Sequence, residues 1–130
     1  QISFSRETMI DFYRLAQSFR HALAGLIFAL QYNQNLRIHF GIAVIVIIAS
    51  VIFRVNAFEM GILGVMILLV ITAEMLNTAI EEMVNFVTLE HQREAKIAKD
   101  VAAGMVLVTA IGSIIVGILI FAPHIIKLLQ

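Results

Sequence analysis

The sequence has no cysteine and no tryptophan, a single proline, and only 14% charged residues among its 130. Without cysteine, a disulfide framework and a thiolate metal site are both excluded. Nine basic residues match nine acidic ones, so the formal net charge is zero. Phosphate-backbone binding needs a basic surplus, which excludes nucleic acid as the main partner. No GxxxxGK[ST] loop and no GxGxxG turn occur, so a nucleotide site would be neither a P-loop nor a dinucleotide fold. What the chain has in abundance is apolar: 61% of residues are hydrophobic and mean hydropathy is +0.97. A soluble domain carries about 45–50% apolar and about 25% charged residues. The composition excludes disorder and points to a small all-α integral membrane protein of one domain, 1–130. The chain opens on Gln1, and residues before it are expected.

Val101 to Ala122 gives 22 residues without a formal charge. As a helix it would be about 33 Å long, against a hydrocarbon core of about 30 Å. Pro123 should end it, because proline disfavours helical geometry in the residue before it. Ile38 to Phe53 is a second apolar run, 16 residues between Arg37 and Arg54. It is short, but both arginines can snorkel. Met60 to Ala73 continues past Glu74 to Ile80 and spans if Glu74 is tolerated in or near the bilayer. Transmembrane helices are therefore expected over about 38–55, 60–82 and 101–122, with a cytoplasmic loop over 83–100.

The first stretch differs. Phe12, Ala16, Phe19, Leu23, Leu26 and Leu30 recur at steps of four and three, with Arg6, Glu7, Asp11, Arg14, Arg20 and His21 around the rest of the cylinder. That pattern predicts an amphipathic surface helix over 5–34. A signal peptide would collect its apolar residues in one block, which this segment does not. Orientation follows from the basic residues. Arg6, Arg14, Arg20, Arg37 and then Arg93, Lys96, Lys99 fall on one side, with Arg54 and Lys127 alone on the other. The N-terminus and the 83–100 loop belong in the cytoplasm and the C-terminus outside.

The chemistry concentrates in the second span. At about 100° per residue, Glu81 returns to within roughly 20° of Glu74, Asn77 and Thr78 fall within roughly 60° on either side, and Asn85 shares the face. Each ionisable residue at the centre of a span costs on the order of 2.5–3.5 kcal/mol. Glu81, near the charged loop, suits Mg²⁺, which takes hard oxygens and keeps phosphates as partners. Glu74 lies about 10 Å deeper. A less hydrated carboxylate binds a proton more readily and suits a general base for the hydroxyl of a lipid. The competing reading is a stripe of interhelical hydrogen bonds that holds a bundle together. His39 and His124, isolated at span ends, fit interfacial histidines, and the six methionines fit adaptable apolar filler. Beyond the stripe, Lys99–Asp100 precedes the small residues Ala102, Ala103 and Gly104, which permit close helix approach. Lys99 could meet a phosphate and Asp100 could orient it.

Ala73–Glu74–Met75–Leu76–Asn77–Thr78–Ala79–Ile80–Glu81, followed by Ala95–Lys96–Ile97–Ala98–Lys99–Asp100–Val101–Ala102–Ala103–Gly104, resembles the small prokaryotic diacylglycerol kinases and their undecaprenol kinase relatives. The resemblance covers the chain from about Arg14 onward. It implies a surface helix plus three transmembrane helices, a homotrimer with sites shared between protomers, and a bacterial inner-membrane location. It implies Mg²⁺-dependent transfer of the ATP γ-phosphate to a membrane lipid alcohol. Residue by residue, it makes Glu74 the catalytic base and Asn77 its motif partner. Glu81 becomes a metal ligand. Arg14, His21, Asn33, Glu81, Glu90, His91, Gln92, Lys99 and Asp100 become the ATP-binding set. Glu74 and Arg37 become the lipid-substrate contacts.

Three positions depart from the family pattern. Asn33 stands where the family has a second metal-binding Glu, Asn85 where it usually has Asp, and His21 where it commonly has Tyr. An Asn carbonyl can coordinate Mg²⁺ but brings no charge, so metal affinity should fall. The Lys99–Gly104 and Asn35–His39 stretches look more like the undecaprenol kinase branch than the diacylglycerol branch. Three functions therefore compete: an active lipid kinase, a relative with weakened catalysis, and a structural subunit whose stripe lines a bundle.

Overall fold

The computed structural model describes residues 9–88, 90 and 92–130. Four helices follow one another in these residues: α1 (Phe12–Tyr32), α2 (Gln34–Ile52), α3 (Ala57–Val87) and α4 (Arg93–Leu128). Helices α2, α3 and α4 are long and apolar enough to cross a membrane. They carry the all-helical membrane fold that the apolar runs anticipate.

Helices α1, α2 and α3 each begin where a side chain satisfies free N–H groups, whereas α4 follows Gln92 without a side-chain cap. Asp11 accepts from the N–H of Tyr13 at 3.1 Å and of Arg14 at 3.2 Å, which starts α1. The helix expected from residue 5 thus begins at Phe12, and residues 5–8 lie outside the described ones. Only Ala29 of α1 is buried. Phe12, Phe19 and Leu23 stay exposed, so the apolar stripe is left for lipid or another copy. Asn33 separates α1 from α2 with an extended backbone (φ −110°, ψ 107°), and its Oδ1 accepts from Leu36 N at 3.2 Å. One residue thus ends one helix and caps the next. Asn56 caps α3 by accepting from Glu59 N at 2.8 Å.

Helix α2 ends in a Schellman turn. Val55 N donates to Ser50 O at 3.1 Å and Arg54 N to Val51 O at 3.3 Å. Arg54 takes the left-handed conformation (φ 53°) that glycine ordinarily fills. Below this turn lies the small core of Val55, Leu63 and Ile120, with Val46, Ile62, Val116 and Phe121 against it. Phe53 meets Phe121 edge-on at 6.0 Å.

Three boundaries are corrected. The loop expected over 83–100 is helical at 83–87 and at 93–100, leaving only 88–92 between α3 and α4. Charge there marks the exit from the bilayer and not the end of the helix. The Lys96–Asp100 pair at 2.6 Å, four residues apart, supports the first turns of α4. Pro123 does not end α4, which continues to Leu128. The turn around it is tied to α3, because His124 Nε2 lies 3.2 Å from Glu59 Oε2. His124 is therefore a paired residue and not an isolated interfacial one.

Candidate active site

Helix α3 presents its polar stripe to the neighbouring helices. Ala73, Glu74, Asn77 and Thr78 are buried, and Glu74 is 1% exposed. A carboxylate at that depth persists only with partners. Asn33 Nδ2 donates to Glu74 Oε2 at 2.9 Å and also lies 2.7 Å from Thr78 Oγ1. Thr78 Oγ1 donates to the Glu74 carbonyl at 3.0 Å. On the other side, His39 Nε2 stands 3.5 Å from Glu74 Oε1. The α1–α2 junction and the first turns of α2 thus hold the two carboxylate oxygens separately. His39, read from sequence as an isolated interfacial histidine, faces the buried carboxylate. No local signal marks it, because His39 follows Arg37 by only two residues and the contact depends on how α2 turns toward α3.

One turn toward the charged end, Asn77 Nδ2 donates to Glu81 Oε1 at 3.5 Å. Asn77 Oδ1 is buried and has no hydrogen-bond partner among the described residues. Glu81 itself is exposed. No group of three His, Asp or Glu converges among the described residues, so an all-protein cation cage does not fit. Mg²⁺ commonly uses one or two carboxylates plus substrate phosphates. Glu81 with the free Asn77 Oδ1 beside it fits that requirement.

Beyond Glu81 the stripe reaches a cleft of about 660 Å³ between the ends of α3 and α4. Asn85, Glu90, Gln92, Lys96, Lys99 and Asp100 line it, with Arg93. Lys99 Nζ donates to Asn85 Oδ1 at 2.6 Å, and Lys96 Nζ to Asp100 Oδ2 at 2.6 Å. That hydrogen bond, reinforced by the Asp100 charge, raises Lys96 above the ordinary lysine value. Lys96 lies in the charged turns before the apolar part of α4, and its cation lines the cleft paired with Asp100. On the other side of His39, an apolar crevice of about 430 Å³ runs between α2, α3 and α4. Ile42, Val46, Leu63, Val70, Ile114 and Phe121 line it.

The structure thus brings Asn33, Glu74 and Asn77 together, with Glu81 beside them, and brings Glu90, Gln92, Lys99 and Asp100 together around the cleft. It does not bring Arg14 and His21 there: both are exposed on α1 and neither lines the cleft. His91 lies outside the described residues. Arg37 Nη1 donates to Leu30 O at 2.9 Å and Gln31 O at 2.7 Å, capping the end of α1.

Comparison with known proteins decides the family. The family described as prokaryotic diacylglycerol kinase matches residues 20–121. The chain belongs to that family. It is 40% identical over 116 residues to a protein of Synechocystis named diacylglycerol kinase, covering 88% of this chain and 66% of that protein. It is 36% identical over 119 residues to the undecaprenol kinase of Bacillus subtilis, covering 92% of this chain and 97% of that protein. Both relatives carry the names of lipid kinases, and this member is of the lipid-kinase class. Its three spans place it in a membrane.

Proposed function

We propose that the protein transfers the γ-phosphate of ATP to the hydroxyl of a membrane lipid alcohol at the cytoplasmic face of the bacterial inner membrane. The observation that carries this reading is the buried Glu74. It lies beside His39, which lines an apolar crevice, and its stripe ends in a cleft lined by Arg93, Lys96 and Lys99. A lipid chain is suited to the crevice, and phosphates to the cationic cleft. Glu74 takes the proton of the lipid hydroxyl as its oxygen bonds to the γ-phosphorus and ADP leaves. Proton transfer of this kind contributes about 10²–10⁴-fold. Phosphoryl transfer otherwise needs positioning and charge neutralisation. Lys99 and Asp100 orient the phosphates, and Glu90 and Gln92 close the cleft. Arg37, with Nη1 committed to α1, offers its other nitrogen to the lipid headgroup. Asn77 Oδ1 and Glu81 would hold Mg²⁺; Asn33, whose oxygen caps α2 and whose nitrogen faces Glu74, has no free oxygen to add to them. Bound there, the metal would neutralise charge on the phosphates.

Arg14 and His21, which do not line their own cleft, would meet a nucleotide held by a neighbouring protomer in a homotrimer with shared sites. The lipid we favour is undecaprenol, on the Asn35–His39 and Lys99–Gly104 stretches; diacylglycerol is the alternative. Parallel assays with both alcohols, radiolabelled ATP and a Mg²⁺ titration separate them. Preferential labelling of undecaprenol supports the reading, and preferential labelling of diacylglycerol assigns the other branch. Labelling of neither overturns it.

A further inference from the structure

We infer that His39 is a positioning residue for Glu74: its imidazole holds Oε1 toward the apolar crevice while Asn33 fixes Oε2. The inference rests on the reading of Glu74 as the base. Three observations carry it. The two carboxylate oxygens have different partners, Asn33 Nδ2 at 2.9 Å on Oε2 and His39 Nε2 at 3.5 Å from Oε1. The His39 side chain is 20% exposed and the Glu74 side chain 2%, so the contact is shielded from bulk water, where fixed dipoles act most strongly. His39 also lines the crevice, with Ile42, Val46 and Val70.

The geometry makes the two oxygens unequal. Oε2 is tied within ordinary hydrogen-bond length to an amide that also touches Thr78. Oε1 is held more loosely, on the side of His39, whose ring lines the crevice, and on this reading is the oxygen that meets a hydroxyl. A carboxylate free to rotate would present either oxygen and lose the alignment that proton transfer requires. His39 restricts that rotation from α2. No proton needs to pass through the imidazole for it to act.

The test is steady-state kinetics of the detergent-solubilised full chain with a lipid alcohol, ATP and Mg²⁺, on His39→Phe, His39→Gln and Glu74→Gln. His39→Phe keeps an aromatic ring at the position and removes the N–H. It should lower kcat about 10-fold or more, the lower end of the range for losing a close polar partner of a charged group. KM for ATP should move by less than about threefold, because the nucleotide cleft lies at the other end of the stripe. His39→Gln restores an N–H donor and should recover most of kcat. A kcat for His39→Phe equal to wild type, with Glu74→Gln inactive, overturns the inference and leaves the base intact. His39→Gln as slow as His39→Phe overturns it too. Wild-type turnover in Glu74→Gln overturns the base and the inference together. His39→Leu makes the same comparison with Gln if the Phe variant does not fold.

Discussion

Asn33 shows how one side chain sets the character of this site. Its oxygen caps α2 and its nitrogen reaches Glu74 and Thr78. The sequence identifies Asn33 as the missing charge of a family pattern. The structure adds what the amide does instead: it donates to the buried carboxylate directly, which a second carboxylate could not do. Replacing it by Glu should therefore set two acids face to face. Asn33→Glu should lose about 3 kcal/mol or more of stability in EDTA, the scale of an uncompensated buried charge, and recover it in Mg²⁺. Thermal unfolding in detergent with and without Mg²⁺ measures this. Equal midpoints in the two conditions would show that no cation is shared between positions 33 and 74.

The helices themselves were the most legible element in the sequence, for a physical reason. Lipid contact demands unbroken apolar runs with every backbone group satisfied inside the helix, so Ile38–Phe53 and Val101–Ala122 announce α2 and α4. Hydropathy marks where a helix is in lipid, and it is silent on how far it continues in water. That is why 83–87 and 93–100 read as loop and are helix. The contacts His39–Glu74 and Glu59–His124 were not legible, because they join different helices and no local pattern encodes how the spans rotate toward one another. Capping is a local signal and carries its own prediction. Asn56→Ala removes the acceptor for Glu59 N and should cost about 1 kcal/mol, read as a lower unfolding midpoint in detergent. Lipid phosphorylation should keep its wild-type KM for ATP, since Asn56 lies at the opposite end of α3 from the cationic cleft.

At the scale of the whole molecule, apolar side chains such as Ile45, Leu68, Val108 and Leu119 are exposed over the outer faces of the spans. In a bilayer those faces meet lipid or further copies of the chain, which is how so small a buried core suffices. On the orientation proposed from the basic residues, the Lys96–Lys99 cleft faces the cytoplasm and the α4 C-terminus lies outside. Because the chain has no cysteine, single introduced cysteines report topology without background. Leu129→Cys should react with a membrane-impermeant maleimide added to intact cells, and Glu90→Cys only after lysis. The reverse pattern would invert the protein and place the cleft away from cytoplasmic ATP.

The account turns on whether the buried carboxylate does chemistry, and the most direct measurement is transfer of radiolabelled phosphate from ATP to a lipid alcohol by wild type and Glu74→Gln side by side, with helix content checked by circular dichroism. Wild type should label the lipid in Mg²⁺, and Glu74→Gln should fall by about 10²-fold or more while keeping its fold. Equal labelling by both proteins would contradict a catalytic role for Glu74 and return the stripe to a purely structural one.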